Sequence, residues 1–465
     1  MKNRYQKKIA QLKAENKRLQ KEVEKLRKEN AELKKAQLPP QNLSTPSSMQ
    51  APYEKTVPLK KRKKRRGRKE GHQGTHRAIP DKIDATKKWK VAKICPFCGD
   101  TKPKKIIERR TRYTEDIERK KAKVTEQIVD RCRCNACGKI ITAPMTDALP
   151  NSQIGLTALV LSAWNHYYCG MSLNKIVESF SITNFLKITN GYLIQAWRRL
   201  SFILIFYYDV IQTEIQQSIY IHIDETGWRV CGKSYWLWSF SNTHCVFFTI
   251  NKTRGSTVIK ELLGEFFNGV IISDFWIAYS KIEALAKQKC LVHMLRELKK
   301  ISLRNNSEEW KSFCKKIKRV FADAIRLSLS KKIYDDAKYR SLRARLDIRF
   351  DELCGLTVTD KDALRIIKYW LKKYRGEFFT FLDMDVPKDN NHSEQTIRNV
   401  VALVRKTSFG SQSVKGADMA AIFLSIFGTL KLNGINPVDF LIASLKQYIL
   451  NGTLPAIPFK SLSNR

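Results

Sequence analysis

Ser218-Ile219-Tyr220-Ile221-His222-Ile223-Asp224 is the stretch on which the fold turns. Isoleucine recurs at every second position and Tyr220, His222 and Asp224 fill the alternate ones, the period of a strand with one apolar face. The alternation predicts that Asp224 closes the strand with its carboxylate on a defined face and that Glu225 points the opposite way. Two more strand-like runs follow, Tyr235 to Phe240 and Cys245 to Ile250, around turn text at Ser241-Asn242-Thr243. A helix is expected from Thr257 to Phe267, then a buried strand from Gly269 to Ser273 that ends at Asp274.

Three consecutive strands, a helix and a parallel strand follow the order of a ribonuclease-H-like sheet, in which the first and fourth strands are neighbours. Asp224 and Asp274 then meet at one sheet edge. Two aspartates so placed suit a pair of hard divalent cations, which take oxygen ligands and perform phosphoryl transfer. An aspartate at a strand end is equally a common turn residue. Asp389-Asn390-Asn391 supplies a helix N-cap, after which Glu394, Ile397, Val401 and Val404 share one helical face. Glu394 is the polar member of that inward face, although a first-turn glutamate also suits the helix dipole. The long, mostly helical text between Ala284 and Asp385 implies an inserted helical subdomain.

Composition narrows the partners. Among 465 residues, 86 are Lys or Arg and 44 are Asp or Glu, a net charge of +42 that calls for a polyanion. The longest apolar stretches, such as Ala420 to Leu430, fall well short of the roughly 18 residues a bilayer span needs, and the N-terminus is a charged helical pattern without signal-peptide character. Nucleic acid is therefore the expected partner, with no membrane. Eleven cysteines, six of them scattered singly, suit reduced thiols in a cytosol.

The N-terminal third is modular. Leu12, Leu19, Leu26 and Leu33 recur every seven residues behind Ile9, Asn16, Val23 and Asn30, a coiled-coil zipper over residues 1–37. Asn at two a positions, with Glu22 facing Arg27 and Glu29 facing Lys34, favours a parallel homodimer. A Pro-, Ser- and Gln-rich linker occupies 38–58. A basic segment follows over 59–80, where Lys60, Lys61, Arg62, Lys63, Lys64, Arg65, Arg66, Arg68 and Lys69 can track DNA phosphates. The first 69 residues hold 23 basic and 6 acidic side chains, so most of the surplus charge lies beyond them.

Cys95-Pro96-Phe97-Cys98-Gly99 and Cys134-Asn135-Ala136-Cys137-Gly138 are two Cys-x-x-Cys-Gly knuckles, enough for one four-sulfur structural Zn2+ within a module at 90–145. Strand-like text from Lys123 to Val129 suggests a hairpin inserted between the knuckles, and Cys132 is a spare thiol. About one tightly bound zinc per chain is expected. Residues 152–217 read as helices over Ile154 to Tyr168, Ser172 to Phe180 and around Thr189 to Ser201, with a turn at Gly170. Such a region is compatible with a DNA-binding helix-turn-helix or with a plain helical packing module.

Taken together these residues resemble the insertion-sequence-66 family of DDE transposases, from the basic segment to about Leu441. The similar stretches are Gly67-Arg68-Lys69-Glu70-Gly71-His72-Gln73-Gly74, the two knuckles, Asp224-Glu225-Thr226-Gly227-Trp228, Ser273-Asp274 with Ala278-Tyr279, and Asn390-Asn391-His392-Ser393-Glu394. Arg405-Lys406, Phe409-Gly410-Ser411, Gly416-Ala417 and Lys431-Leu432-Asn433-Gly434-Ile435-Asn436-Pro437 resemble its C-terminal block. The chain departs from the family at Gly227, at Phe275, and at Ser393 and Gln395 around Glu394. Cys290 and His293 resemble a Cys-x-x-His feature of many DDE enzymes, for which a structural role is expected.

The resemblance implies cutting and joining of DNA at the inverted-repeat ends of a mobile element, with Asp224, Asp274 and Glu394 as the catalytic, Mg2+- or Mn2+-binding trio. The expected architecture is multidomain α+β: a ribonuclease-H-like catalytic core in two parts, 218–302 and 386–450, around a helical insertion at 303–385. The setting would be cytoplasmic and nucleoid-associated, and accessory transposition proteins are conceivable partners. Two alternatives stay open at the level of sequence: a decayed derivative that only binds DNA, and a ribonuclease-H-like nuclease without strand transfer.

Overall fold

The computed structural model describes residues 80–88, 121–400 and 409–460, with isolated residues at 20, 22–24, 98, 99, 101, 111, 113, 114 and 405. The linker at 38–58, Cys95 and the basic residues from Lys60 to Lys69 lie outside the described residues, as does the zipper except for Gln20 and Glu22 to Glu24, which are helical.

The first sheet is a small antiparallel pair, β1 (Arg131–Arg133) and β2 (Ile140–Thr142), which flanks the second knuckle. The hairpin expected at Lys123 to Val129 is not formed there. Residues 121–130 have no strand assignment, and Val124 and Ile128 are 94% and 88% exposed, so no apolar face drives them into a sheet.

Three helices follow, α1 (Leu156–Tyr167), α2 (Leu173–Asn184) and α3 (Asn190–Gln216). The sequence places all three but ends the last too early, since Leu204, Tyr207, Ile211 and Ile215 carry its buried stripe onward. These helices share one apolar core with the large sheet, in which Leu193, Trp197 and Leu204 join Ile221, Ile223, Phe240 and Phe423.

The large sheet has five strands in the order β5-β4-β3-β6-β7. They are β3 (Tyr220–Val230), β4 (Lys233–Ser241), β5 (Val246–Asn251), β6 (Phe266–Ser273) and β7 (Glu283–Lys289). β3, β4 and β5 are antiparallel, and β6 and β7 run parallel to β3. The first and fourth strands are neighbours, as the element order requires. Two boundaries differ from expectation. β3 does not end at Asp224 but pairs with β4 out to Val230, where Cys231 and Gly232, both at positive φ, make the tight hairpin turn. The helix between β5 and β6, α4 (Thr257–Leu263), stops early at Gly264, whose φ of 81° breaks the helix and lets Phe266 start the strand. A Cβ on Gly269 of β6 would stand 2.6 Å from the Ser218 carbonyl oxygen, so only glycine admits this approach to the start of β3.

After the short α5 (Ile277–Ser280) and β7, the chain leaves the sheet through α6 (Leu291–Ile301), α7 (Glu308–Leu329), α8 (Asp336–Gly355) and α9 (Lys361–Ile366), a π-helical turn over Ile367–Lys372, and α10 (Thr380–Asp383). These form a second core around Phe321, Phe350, Trp370 and Phe378. It takes in Leu291, Met294 and Leu298 of α6, which precede the 303–385 bounds expected for the insertion. Phe275, one of the departures from the resembling family, stacks on Trp370 at 4.0 Å and ties this helical body to the residue after Asp274.

The chain returns in α11 (Asn391–Val400), α12 (Val414–Leu432) and α13 (Pro437–Asn451). α12 covers the edge of β5: Ser425 and Thr429 hydroxyls accept from the Phe248 and Val246 amides, groups that an edge strand otherwise leaves open. No single helix among the described residues is long and apolar enough to cross a membrane.

Candidate active site

β3 separates its two faces by alternation. Ile221 and Ile223 enter the core shared with α1 to α3, whereas Trp228 and Val230 join Ile397 and Val400 of α11 on the other side. Asp224 has the parity of Trp228, so it stands on the face that α11 covers. The parallel register pairs Ile221 with Ile271 and His222 with Ile272, and two further residues set Asp224 beside Asp274. Burial pushes the Asp224 carboxyl well above the usual range, and the charges of Glu225, Asp274 and Glu394 push it further. Of the three acidic residues singled out in the sequence, Asp274 and Glu394 thus both lie within electrostatic reach of Asp224.

Glu394 comes from the first turn of α11 and is 7% exposed. Its Oε1 accepts from Arg296 Nη1 at 2.5 Å and lies 3.3 Å from His293 Nε2, both on α6. His293 of the Cys-x-x-His feature therefore reaches the site, while Cys290 Sγ accepts the Asn390 amide at 3.1 Å.

Asn390 locks α11 to the sheet. Its Nδ2 donates to the Ile223 carbonyl at 2.9 Å, its Oδ1 lies 2.9 Å from His222 Nδ1, and its carbonyl accepts the Glu394 amide. His222 is held largely neutral, its pKa pushed down to about 4 by burial and by His392 nearby. Replacing Asn390 by Ala strands the buried Ile223 carbonyl and the imidazole, each at a cost of about 1–3 kcal/mol. A corresponding drop in urea stability is expected from equilibrium unfolding of Asn390→Ala, and a change within error would remove Asn390 as the lock.

Glu225, on the opposite face, faces a different set of groups. Its Oε1 accepts from Arg254 Nε at 2.8 Å and Nη2 at 2.5 Å, and its Oε2 accepts from the Tyr279 hydroxyl. The Arg254 guanidinium lies 4.6 Å from the Trp236 ring centre and 4.1 Å from that of Trp276. The Trp276 amide in turn donates to Asp274 Oδ1 at 2.8 Å, so the network orients a carboxylate of the trio. Burial and the Asp274 charge raise the Glu225 carboxyl to about 7 even with Arg254 beside it. A carboxyl raised on folding binds its proton more tightly in the native than in the unfolded chain, so its stabilising contribution is full below about 4.5 and declines as pH rises toward 7. In metal-free protein the stability difference between wild type and Glu225→Gln is expected to shift by up to about 3 kcal/mol over that window. Denaturation midpoints at pH 5 and pH 7.5 measure it, and a pH-independent difference would contradict it.

Lys289 completes the surroundings. Fully buried, its Nζ donates to the Asp274 carbonyl at 2.9 Å and to Ser273 Oγ at 3.2 Å, and burial lowers its pKa to about 8 despite Glu377 at 3.7 Å. Arg254, Lys289 and Arg296 have no sequence signal, since all three look like solvent-facing cations in a chain rich in them. Tyr279 stood only in the Ala278-Tyr279 resemblance.

Of the zinc residues, Cys98, Cys134 and Cys137 are described. Gly138, at φ 67°, donates its amide to the Cys134 carbonyl, and the Cys137 and Ala136 amides lower the Cys134 thiol pKa.

Residues 151–419, more than half of the chain, match the profile described as "Transposase IS66 family". The chain belongs to the IS66 transposase family. The matched span holds Asp224, Asp274 and Glu394 and begins after the knuckles. An uncharacterized protein, y4hP, of Sinorhizobium fredii (strain NBRC 101917 / NGR234) is 23% identical over 391 residues, which cover 75% of this chain and 69% of that protein. Membership of a transposase family implies DNA as partner to this IS66 chain.

Proposed function

We propose that this IS66-family chain cuts and joins DNA at the inverted-repeat ends of an insertion sequence, on a ribonuclease-H-like core whose Asp224, Asp274 and Glu394 hold divalent cations, Mg2+ or Mn2+. The observation that carries the reading is the gathering of Asp274 and Glu394 on the buried Asp224, which has no cationic partner of its own among the described residues. Ser239 Oγ, across the ladder from Asp224, supports the fit, since this buried hydroxyl has no hydrogen-bond partner among the described residues. The donor set is all oxygen, as hard cations prefer.

Bound cations would supply activation of the attacking water or 3′-hydroxyl and stabilisation of the leaving oxygen. The chain's own residues set that chemistry in place. β3 carries Asp224, Asp274 directly follows β6, and the Trp276 amide orients Asp274. Asn390 seats the helix that delivers Glu394, and Arg296 balances the Glu394 charge at the rim of the site.

The other modules complete the proposal. The basic segment, Lys60 to Lys69, tracks phosphates, and the zipper at 1–37 pairs two copies so that both element ends are held in one complex. Cys95, Cys98, Cys134 and Cys137 bind a structural Zn2+, supported by the turn at Gly138. A duplex carrying a labelled element end, incubated with the full chain and Mg2+, tests the function. Nicking at the end followed by joining to a second duplex is expected. Binding without any cut would point to a decayed derivative, and cutting without joining to a nuclease.

A further inference from the structure

Away from the carboxylate trio, three metal-ligating side chains from two elements meet. Glu214 lies in the last turn of α3, and His244 and Cys245 form the turn from β4 into β5. A carboxylate oxygen, an imidazole nitrogen and a sulfur, one from each, all lie within 4.8 Å of one another, with Glu214 Oε2 3.7 Å from His244 Nε2. A tetrahedral zinc with bonds of about 2.0–2.3 Å sets its ligand atoms roughly 3.3–3.8 Å apart, a spacing the Glu214–His244 pair already has.

The backbone beneath is held in advance. Asn242 Oδ1 accepts from both the His244 and Cys245 amides, at 2.9 and 2.6 Å. Its Nδ2 donates to Ser218 Oγ at 2.7 Å, and that hydroxyl donates to the Glu214 carbonyl at 2.7 Å. One hydrogen-bonded chain thus runs under all three donors. Asn433 Nδ2 fixes the His244 carbonyl at 2.7 Å, and the second imidazole nitrogen, Nδ1, lies 3.4 Å from Thr243 Oγ1. Zinc-bound histidines are commonly held in this way, one nitrogen on the metal and the other on an outer partner.

We propose that Glu214, His244 and Cys245 bind a zinc ion, separate from the knuckle zinc and from the carboxylate trio. One oxygen, one nitrogen and one sulfur suit a borderline-soft cation and not Mg2+. Cys245 is fully buried, whereas the Glu214 and His244 side chains are 38% and 14% exposed, which leaves a solvent side for water as fourth ligand. The ion ties the end of α3 to the β4–β5 turn.

Metal content of full-length chains tests the site. Wild type after dialysis is compared with Cys245→Ala and with a chain in which Cys95, Cys98, Cys132, Cys134 and Cys137 are all serine, folding being checked by circular dichroism. The five-serine chain is expected to keep about one zinc, and Cys245→Ala to lose about one relative to wild type. Zinc-stripped five-serine protein titrated with Co2+ should develop the visible bands of a tetrahedral site and a thiolate-to-cobalt charge-transfer band. His244→Gln in that background should weaken cobalt binding at least tenfold. If Cys245→Ala does not fold, X-ray absorption of the cobalt-loaded five-serine chain decides: one sulfur in the first shell supports the site, and only nitrogen and oxygen overturns it. If the five-serine chain does not fold, the loss of one zinc on Cys245→Ala decides alone. No bound metal in the folded five-serine chain, or unchanged zinc in folded Cys245→Ala, would refute the site.

Discussion

Asp224→Asn, Asp274→Asn and Glu394→Gln are each expected to abolish end cleavage and joining, with rates down on the order of 10³-fold or more. Loss of an outer partner to a metal ligand typically costs about 10- to 100-fold, so loss of a ligand itself exceeds that. The three are not expected to add, because they hold one constellation, and a double variant should be little worse than either single one. The stability of Asp224→Asn should move the other way. Asp224 is buried among Glu225, Asp274 and Glu394, and replacing it with a neutral isostere removes repulsion from the metal-free protein. Asp224→Asn should therefore melt at or above the wild-type temperature while binding end DNA normally. Reduced activity with a lowered melting temperature would instead mark a folding defect. Full activity in any of the three removes that residue from the site.

The largest loss of stability is expected from Arg254→Met. Glu225 is 1% and Arg254 13% exposed, and removing one partner of such a pair typically costs about 3–5 kcal/mol because the other is left buried and unpaired. The cation's stacking on Trp236 and Trp276 is lost as well. Uptake of a proton by Glu225 limits the penalty at low pH, so the destabilisation should grow as pH rises. Glu225→Gln in the same chain removes the stranded charge, and the double variant should recover much of the loss. Urea unfolding of the four proteins of this cycle measures the coupling, and strictly additive effects would show that the pair is not coupled.

The parts of the structure legible in sequence are those set by short-range periodicity. The isoleucines at 221 and 223 enter the main core and place Asp224 on the opposite face, and the strand and helix order makes β3 and β6 neighbours. Periodicity fails where a residue's conformational role hides its pattern. Asp224 reads as the end of its strand, yet the ladder continues through Gly227 to Val230 because Trp228 and Val230 have a second small core to enter. It fails again at Lys123 to Val129, where strand-like composition meets no partner and stays exposed. The charged groups around the trio are illegible for another reason. Arg254 and Lys289 are buried only because distant segments fold over them: the Trp pair over the first, and Tyr374 and Glu377 of the helical insertion beside the second. No local pattern records a long-range contact of this kind. Asn390 was legible as a helix start, but not as the link between that helix and the Ile223 carbonyl.

The most direct measurement of the proposed two-cation site is anomalous scattering from Mn2+ in a crystal of the chain bound to its element-end DNA. Two manganese peaks, each contacting Asp224 and at least one of Asp274 and Glu394, with the scissile phosphate between them, are expected. Manganese absent from these carboxylates in a complex with the end correctly seated would contradict it.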